Sequence, residues 1–246
     1  MSDAFFRGLA REAAASYPRR DRFARHFAYG KLTGDPAFAH LLRAGLIPDG
    51  ARVLDLGCGQ GLLAALLLAA QACRQRGDWN GSSPPPALAR FTGIELLELN
   101  VERARAMAGN WAPVGTGATS SFIAGDIRST EFPHSDVVVI IDVLHYIDYD
   151  AQLGALQRVR AALAPRGVLL LRVGDESGSL SYRYTVFVDR LFTRLRGHRL
   201  PRLWGRPAQA WRAELERLGF TVAAAPMSQG TPFANVLLVA RYDESR

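Results

Sequence analysis

The stretch ARVLDLGCGQGLLAALLLAA, residues Ala51 to Ala70, decides the fold. Val53, Leu54 and Leu56 make a short apolar strand. Gly57, Gly59 and Gly61 then punctuate a tight turn, and Leu62 onward reads as a buried helix. A glycine-rich turn between strand and helix lets backbone approach a ligand closely, with the helix N-terminus behind it.

The pattern repeats downstream. Ala89–Ile94 reads as a second strand, Glu98–Ala108 as a helix and Ser121–Ala124 as a third strand. Val137–Ile141 is an unbroken β-branched run, suited to a central strand covered on both faces. Leu153–Leu163 reads as a helix stopped at Pro165-Arg166-Gly167, followed by a fifth strand over Val168–Val173. Ala208–Leu218 reads as a last helix, with Phe220–Ala225 and Val236–Val239 as a strand pair. Alternating β and α units predict an α/β, Rossmann-like, doubly wound sheet of seven mostly parallel strands, the last antiparallel.

Three segments stand outside the alternation. Residues 1–49 form a helical N-terminal cap, expected at the sheet's carboxyl edge, before a domain over 50–246. Residues 74–88 are a polar, Pro-rich loop, expected to be mobile. Residues 176–206 read as a helical insertion after the fifth strand. There is no internal repeat.

Composition narrows the function classes. At 246 residues, 48% apolar and 22% charged, the chain is long enough to bury its own core and is neither collagenous nor disordered. Two cysteines, Cys58 and Cys73, make no disulfide framework and no metal cluster. Charges at Asp3, Arg7, Arg11 and Glu12 interrupt any signal-peptide core, and no apolar run reaches bilayer length, so a cytoplasmic location is expected. Net charge is +7, and all but one of the 30 basic residues are Arg, Lys31 being the exception. Nine arginines stand between Arg183 and Arg217 against Asp189, Glu214 and Glu216, interleaved with aromatic and aliphatic residues. Such a segment suits a negatively charged partner, although a solvated helix with genome-biased arginine reads the same way.

A P-loop is excluded because no Gly-Lys-Ser/Thr follows the turn. The run Val53-Leu54-Asp55-Leu56-Gly57-Cys58-Gly59-Gln60-Gly61 resembles the first motif of class I S-adenosylmethionine-dependent methyltransferases. The resemblance implies S-adenosyl-L-methionine as cofactor, its aminoacyl chain lying against Gly57, Cys58, Gly59 and Gly61. Asp55 orders that loop or accepts from the cofactor's ammonium. Glu95, an acceptor-only carboxylate, suits the ribose diol, with Leu96 beside it. It lies 34 residues beyond Gly61, against a usual spacing of about 20, and the Pro-rich loop supplies the excess. Asp126 meets the adenine amine, Ile127 flanks the ring, and Asp142 ends the fourth strand on the methionine side.

Methyl transfer asks mainly for a nucleophile held in line, sometimes with a base. His145 is the candidate base and Tyr146 an orienting group, with a packing role for His145 equally open. On a helix over Arg22–Asp35, Arg22, His26 and Tyr29 share a face for substrate while Phe23 and Phe27 turn inward. Lys31 pairs with a carboxylate of the cofactor or substrate, or stays at the surface. No Asn-Pro-Pro-Tyr or Asp-Pro-Pro-Tyr follows the fourth strand, which makes nucleic acid an unlikely acceptor, and no residue cluster suggests a metal.

A narrower likeness rests on the Arg22–Leu32 run, Asp55–Leu63, Arg172-Val-Gly-Asp175 and Gly230-Thr-Pro-Phe-Ala-Asn235. These resemble bacterial methyltransferases found with aryl-polyene pigment biosynthesis genes. That resemblance implies O- or C-methylation of an aromatic or polyene acyl group, with an acidic acyl carrier protein as the implied carrier. An RNA or protein methyltransferase, and a cofactor-binding protein without turnover, are the alternatives.

Overall fold

The computed structural model describes residues 1–111, 119–175, 203–229 and 234–242. Seven strands form one mixed sheet in the order β3-β2-β1-β4-β5-β7-β6. They are β1 Arg52–Leu56, β2 Arg90–Glu95, β3 Thr119–Ala124, β4 Ser135–Ile141, β5 Leu163–Gly174, β6 Phe220–Pro226 and β7 Asn235–Tyr242. β1 pairs with β2 and β2 with β3 in parallel, while β7 runs antiparallel to both β5 and β6. The predicted architecture is therefore present, with strand ends at most five residues from their expected positions. The chain falls into two compact units, Met1–Val137 and Val138–Arg246.

In the first unit, residues 1–49 fold into α1 Asp3–Ala15, α2 Arg22–Gly34 and α3 Pro36–Arg43. Their starts follow from side-chain caps. Ser2 accepts from Phe5 N, Asp21 from Ala24 N, and Asp35 from Ala37 N with Pro36 at the first helical position. α4 Leu62–Gln75 has no side-chain cap and is entered through Gly61 at φ +81°. All its residues from Leu62 to Cys73 are buried, which explains a run with almost no polar face. α5 Glu98–Gly109 follows β2.

Helix α2 corrects one expectation. Its inward stripe is Ala24, Ala28 and Leu32, and Phe23 and Phe27 point outward, 56% and 38% exposed. Small side chains on the packed face let α2 approach its neighbours, and the three buried positions keep an i, i+4, i+8 spacing that excludes both rings. The Pro-rich segment is anchored: Trp79 packs edge-on against Phe5 at 5.5 Å, and Ala87 N donates to Asp49 at 2.6 Å.

In the second unit, a single helical turn over Leu144–Tyr146 follows β4, then α6 Tyr149–Ala162, β5 and α7 Ala208–Arg217. Asp148 caps α6 through Ala151 N. Helix α6 ends at Ala162, and strand geometry begins there, running through Pro165-Arg166-Gly167 with Arg166 at φ +62°. Pairing with β7 starts at Val168, where the fifth strand was expected. The insertion expected over 176–206 lies outside the described residues except for 203–206. Among the described residues no helix is long and apolar enough to cross a membrane.

Candidate functional site

The turn from Gly57 to Gly61 is built from backbone. Gly57, Gly59 and Gly61 adopt φ of +73°, +55° and +81°, a region that side chains disfavour. Gly57 N and Cys58 N both donate to Ile94 O, at 2.7 and 3.2 Å, which fastens the turn to the end of β2. A Cβ on Gly59 would meet nothing within 4 Å, whereas one on Gly61 would stand 3.0 Å from Ala104 Cβ. Gly61 thus serves packing against α5, and Gly59 faces open space.

Glu95 joins the two loops. Its carboxylate accepts from Gly59 N at 3.0 Å and from Leu97 N at 3.0 Å. Each oxygen keeps lone pairs for another donor, which a cis-diol would supply. Asp55, one strand away, is buried, and its carboxyl group makes no hydrogen bond among the described residues. Burial, reinforced by the nearby Glu95 charge, pushes its carboxyl up to about 7. A carboxyl group without a side-chain hydrogen bond, beside an open glycine turn, has the chemistry to receive a cationic group such as the ammonium of an aminoacyl chain. Cys58 is buried, its thiol driven well up by burial and by the charges of Asp55 and Glu95, so it is a packing group here.

Leu96 is 65% exposed beside Glu95, and Ile127 is buried. Asp126 follows β3 in a turn in which Ser129 N and Thr130 N donate to its carbonyl. Its carboxylate is held by the Arg128 side chain and backbone, with Arg128 Nε 2.8 Å and 3.0 Å from the two oxygens.

The remaining candidates on α2 sit at the surface of the first unit. His26 Nδ1 lies 2.7 Å from Arg22 O, the Arg11 guanidinium stands 6.0 Å over Tyr29, and Lys31 pairs with Asp35 at 2.8 Å. The turn is tied to this helix by residues that motif reading passed over. Gln60 Nε2 donates to Ala24 O at 2.8 Å, and buried Tyr17 donates its hydroxyl to Gln60 O at 2.9 Å. Gln60 lies inside the glycine motif, and that position was the available signal.

The second unit carries the other cluster. Asp142 takes φ +57° and receives the side chain of Arg172, a guanidinium with 1% exposure; Nε donates at 2.9 Å. His145 Nε2 is buried without a hydrogen-bond partner, its ring 4.1 Å from that of Tyr146. Burial lowers the His145 pKa against the opposing pull of Asp142, so the imidazole is neutral at neutral pH. Beneath it, fully buried Gln152 donates to Leu144 O and Ile147 O at 3.1 Å each and to Trp204 O at 2.7 Å. Its oxygen accepts from Arg206 Nε at 2.8 Å, and Trp204 N donates to His145 O at 2.8 Å. No sequence motif marks Gln152. Among the described residues there is no His, Cys, Asp and Glu cluster able to hold a metal ion.

Comparison with known proteins adds three findings. The family described as Methyltransferase domain matches residues 25–225. Two curated proteins named carboxy-S-adenosyl-L-methionine synthase are similar, one from Chromohalobacter salexigens (30% identical over 142 residues, 55% of this chain and 47% of that protein). The second, from Wolinella succinogenes, is 31% identical over 140 residues, 57% of this chain and 49% of that protein. The chain thus spans about half the length of the curated relatives it matches. Among solved structures, magnesium protoporphyrin IX methyltransferase from Synechocystis with bound S-adenosylhomocysteine superposes with a TM-score of 0.58 at 21% identity. That match covers 98% of this chain and 95% of the other. At this identity the likeness speaks for the fold.

Proposed function

The chain belongs to the methyltransferase-domain family, whose cofactor is S-adenosylmethionine, and from that premise we propose that it methylates a small apolar or aromatic metabolite. The observation that carries this reading is the Asp55 carboxyl, raised by burial and by Glu95, beside a glycine turn whose Gly59 faces open space. Asp55 receives the cofactor's ammonium, the turn from Gly57 to Gly61 passes along its aminoacyl chain, and Glu95 takes the ribose hydroxyls. Leu96 and Ile127 border the adenine, and Asp126, braced by Arg128, addresses its amine. Asp142, braced by Arg172, orders the end of β4, on which His145 acts as base and Tyr146 orients the acceptor. Arg22, His26 and Tyr29 of α2 contact substrate, while Lys31 spends its charge on Asp35. The excess of arginine suits an acceptor carried on an acidic partner, and an aryl-polyene precursor on an acyl carrier protein is the specific form proposed.

The likeness to two carboxy-S-adenosylmethionine synthases favours a second reading, in which the cofactor's own methyl group is the substrate. One experiment separates them. Purified protein is incubated with S-adenosylmethionine, bicarbonate as a carboxyl source, and either aryl carboxylic acids or a carrier-bound acyl pool, and products are followed by mass. Methyl transfer releases S-adenosylhomocysteine together with a methylated acceptor. A carboxylated cofactor with no methylated acceptor would replace the first reading with the second.

A further inference from the structure

Exposed apolar bulk is gathered on one part of the first unit. Of the eight large apolar side chains exposed among the described residues, six belong to this unit: Phe23, Phe27, Leu96, Leu97, Leu99 and Ile123. Helix α2 carries both phenylalanines, and the N-terminal end of α5 carries the three leucines, each 57% exposed or more. Arg103 joins the two groups. It stands one turn after Leu99 on the same face of α5, and its guanidinium lies 5.1 Å over the Phe23 ring. Asp21, the N-cap of α2, holds that guanidinium at 2.7 Å. The two helices are therefore fastened where their apolar groups meet.

Charge says what the surface is for. The acids of residues 1–30 are Asp3, Glu12 and Asp21, and each is already held, by Arg43, Arg76 and Arg103 in turn. The six arginines of the same stretch, Arg7, Arg11, Arg19, Arg20, Arg22 and Arg25, make no ion pair among the described residues. Arg19, Arg20 and Arg22 are exposed where the chain enters α2, directly before Phe23. An anionic partner finds unmet cations here and no competing carboxylate.

We propose that this surface seats the protein on an anionic phospholipid bilayer. Phe23, Phe27 and Leu99 enter the headgroup boundary, and Arg19, Arg20 and Arg22 meet lipid phosphates. The attachment goes beyond methyl transfer and does not depend on it. Exposed apolar groups rimmed by positive charge are what an interfacial helix offers. A bilayer interface takes apolar bulk without demanding a fitted shape, and its phosphates supply the missing counter-charge. Nucleic acid would use the rings differently, by stacking bases on open faces. Here the rings stack on each other at 6.0 Å and Arg103 covers Phe23, which takes up faces that bases need. An acidic protein answers the charge but meets a convex helix face only with a groove of its own. The glycine turn is fixed to the same helix, since Gln60 donates to Ala24 O, so a bilayer-bound α2 holds that turn close to the membrane surface.

The test is vesicle flotation of the full chain without cofactor, so its outcome is separate from that of the methyltransferase reading. Wild type is expected to float with vesicles of equal parts phosphatidylglycerol and phosphatidylcholine, and not with phosphatidylcholine alone. The double variant Arg19→Gln with Arg20→Gln should bind the anionic vesicles about 20-fold to 30-fold more weakly, at about 5-fold for each arginine near the surface. The double variant Phe23→Ala with Phe27→Ala should lose about 10-fold or more. Both should melt and bind S-adenosylhomocysteine as wild type does, since neither pair lies in the core. Phe27→Trp adds a reporter whose emission brominated lipid should quench on anionic vesicles. No flotation of the wild type, or flotation undiminished in both double variants, overturns the surface. An effect of the arginines alone, with the Phe27→Trp reporter unquenched, overturns the insertion of the rings. Binding of a polyuridylate oligonucleotide that the phenylalanine substitutions weaken, without flotation, would assign the surface to RNA and overturn the proposal as well.

Discussion

The turn from Asp55 to Gly61 and the turn from Asp142 to Tyr146 each follow a strand of the sheet, yet they are built by opposite means. The first is a backbone device, in which three left-handed glycines, two amides on Ile94 O and one amide on Glu95 define it almost completely. The second is a side-chain device. Asp142 is held by Arg172 from β5, and the Leu144–Tyr146 turn hangs on Gln152 from α6 and on Trp204 from beyond the undescribed segment. A backbone device tolerates change in its neighbours and fails when a glycine acquires a Cβ. A side-chain device fails when any one remote partner is cut.

The sharpest break in that comparison is His145→Ala. If His145 is the base, turnover falls about 10²-fold to 10⁴-fold while S-adenosylhomocysteine binding survives. Because burial keeps the imidazole neutral, the wild-type rate should hold as pH falls through the ordinary histidine value of about 6.5 and decline only below it. Full activity in the alanine variant returns His145 to packing and leaves the second turn without chemistry.

Next in size is Gln152→Leu. Removing the amide strips two carbonyls of the 144–147 turn and Trp204 O of their buried donor, and Arg206 Nε of its acceptor. Buried polar groups left unmet cost about 1–3 kcal/mol each at the upper end of such effects, so a loss of about 2–4 kcal/mol is expected in denaturant unfolding. The turnover should fall with it, and the S-adenosylhomocysteine affinity should not. Stability within about 0.5 kcal/mol of wild type would show that the turn holds itself.

On the other side, Glu95→Ala should weaken S-adenosylhomocysteine by about 1–3 kcal/mol, because it removes both the diol acceptor and the tether on Gly59 N. Glu95→Gln separates the two. Its amide oxygen can still accept from Gly59 N, so a loss that persists in Gln belongs to the charged contact with the cofactor. Unchanged calorimetric affinity in both variants would remove Glu95 from the site.

This contrast also sets what the amino-acid sequence could reveal. Strand, glycines and helix of the first turn lie within 20 consecutive residues, so periodicity and punctuation expose them, and the parallel order follows from the repeat. The second turn depends on residues 8 to 62 positions beyond Leu144, from Gln152 to Trp204 and Arg206, whose types are ordinary for a helix and a loop. Nothing local distinguishes Gln152 from the solvated Gln157 on the same helix. Phe23 and Phe27 failed for a related reason. Hydrophobicity alone assigned them inward, whereas the packed stripe went to alanines, because close helix approach selects small side chains over apolar bulk. Asp126 and Lys31 were legible as charges, but their engagement by Arg128 and Asp35 was not.

The smallest effect probes the first turn most directly. The Asp55 carboxyl, raised to about 7, binds a proton more tightly in the fold than in the unfolded chain. Its contribution to stability is therefore full below the ordinary carboxylate value of about 3.9 and is lost as pH rises through about 7. A cofactor ammonium placed against it reverses the preference, favouring the carboxylate, so binding near pH 6 must expel the proton. Affinity for S-adenosylhomocysteine should then rise about 5-fold from pH 6 to pH 7, under the tenfold limit for one proton. It should flatten above that, where Asp55 is already ionised. Calorimetry in buffers of different ionisation enthalpy counts the proton released. Asp55→Asn should abolish both the release and the pH slope, while leaving the glycine turn in place, since no hydrogen bond of that turn runs through Asp55. A flat affinity profile in the wild type, with no proton released, would mean that the ammonium is received elsewhere and that Asp55 is buried for the loop alone.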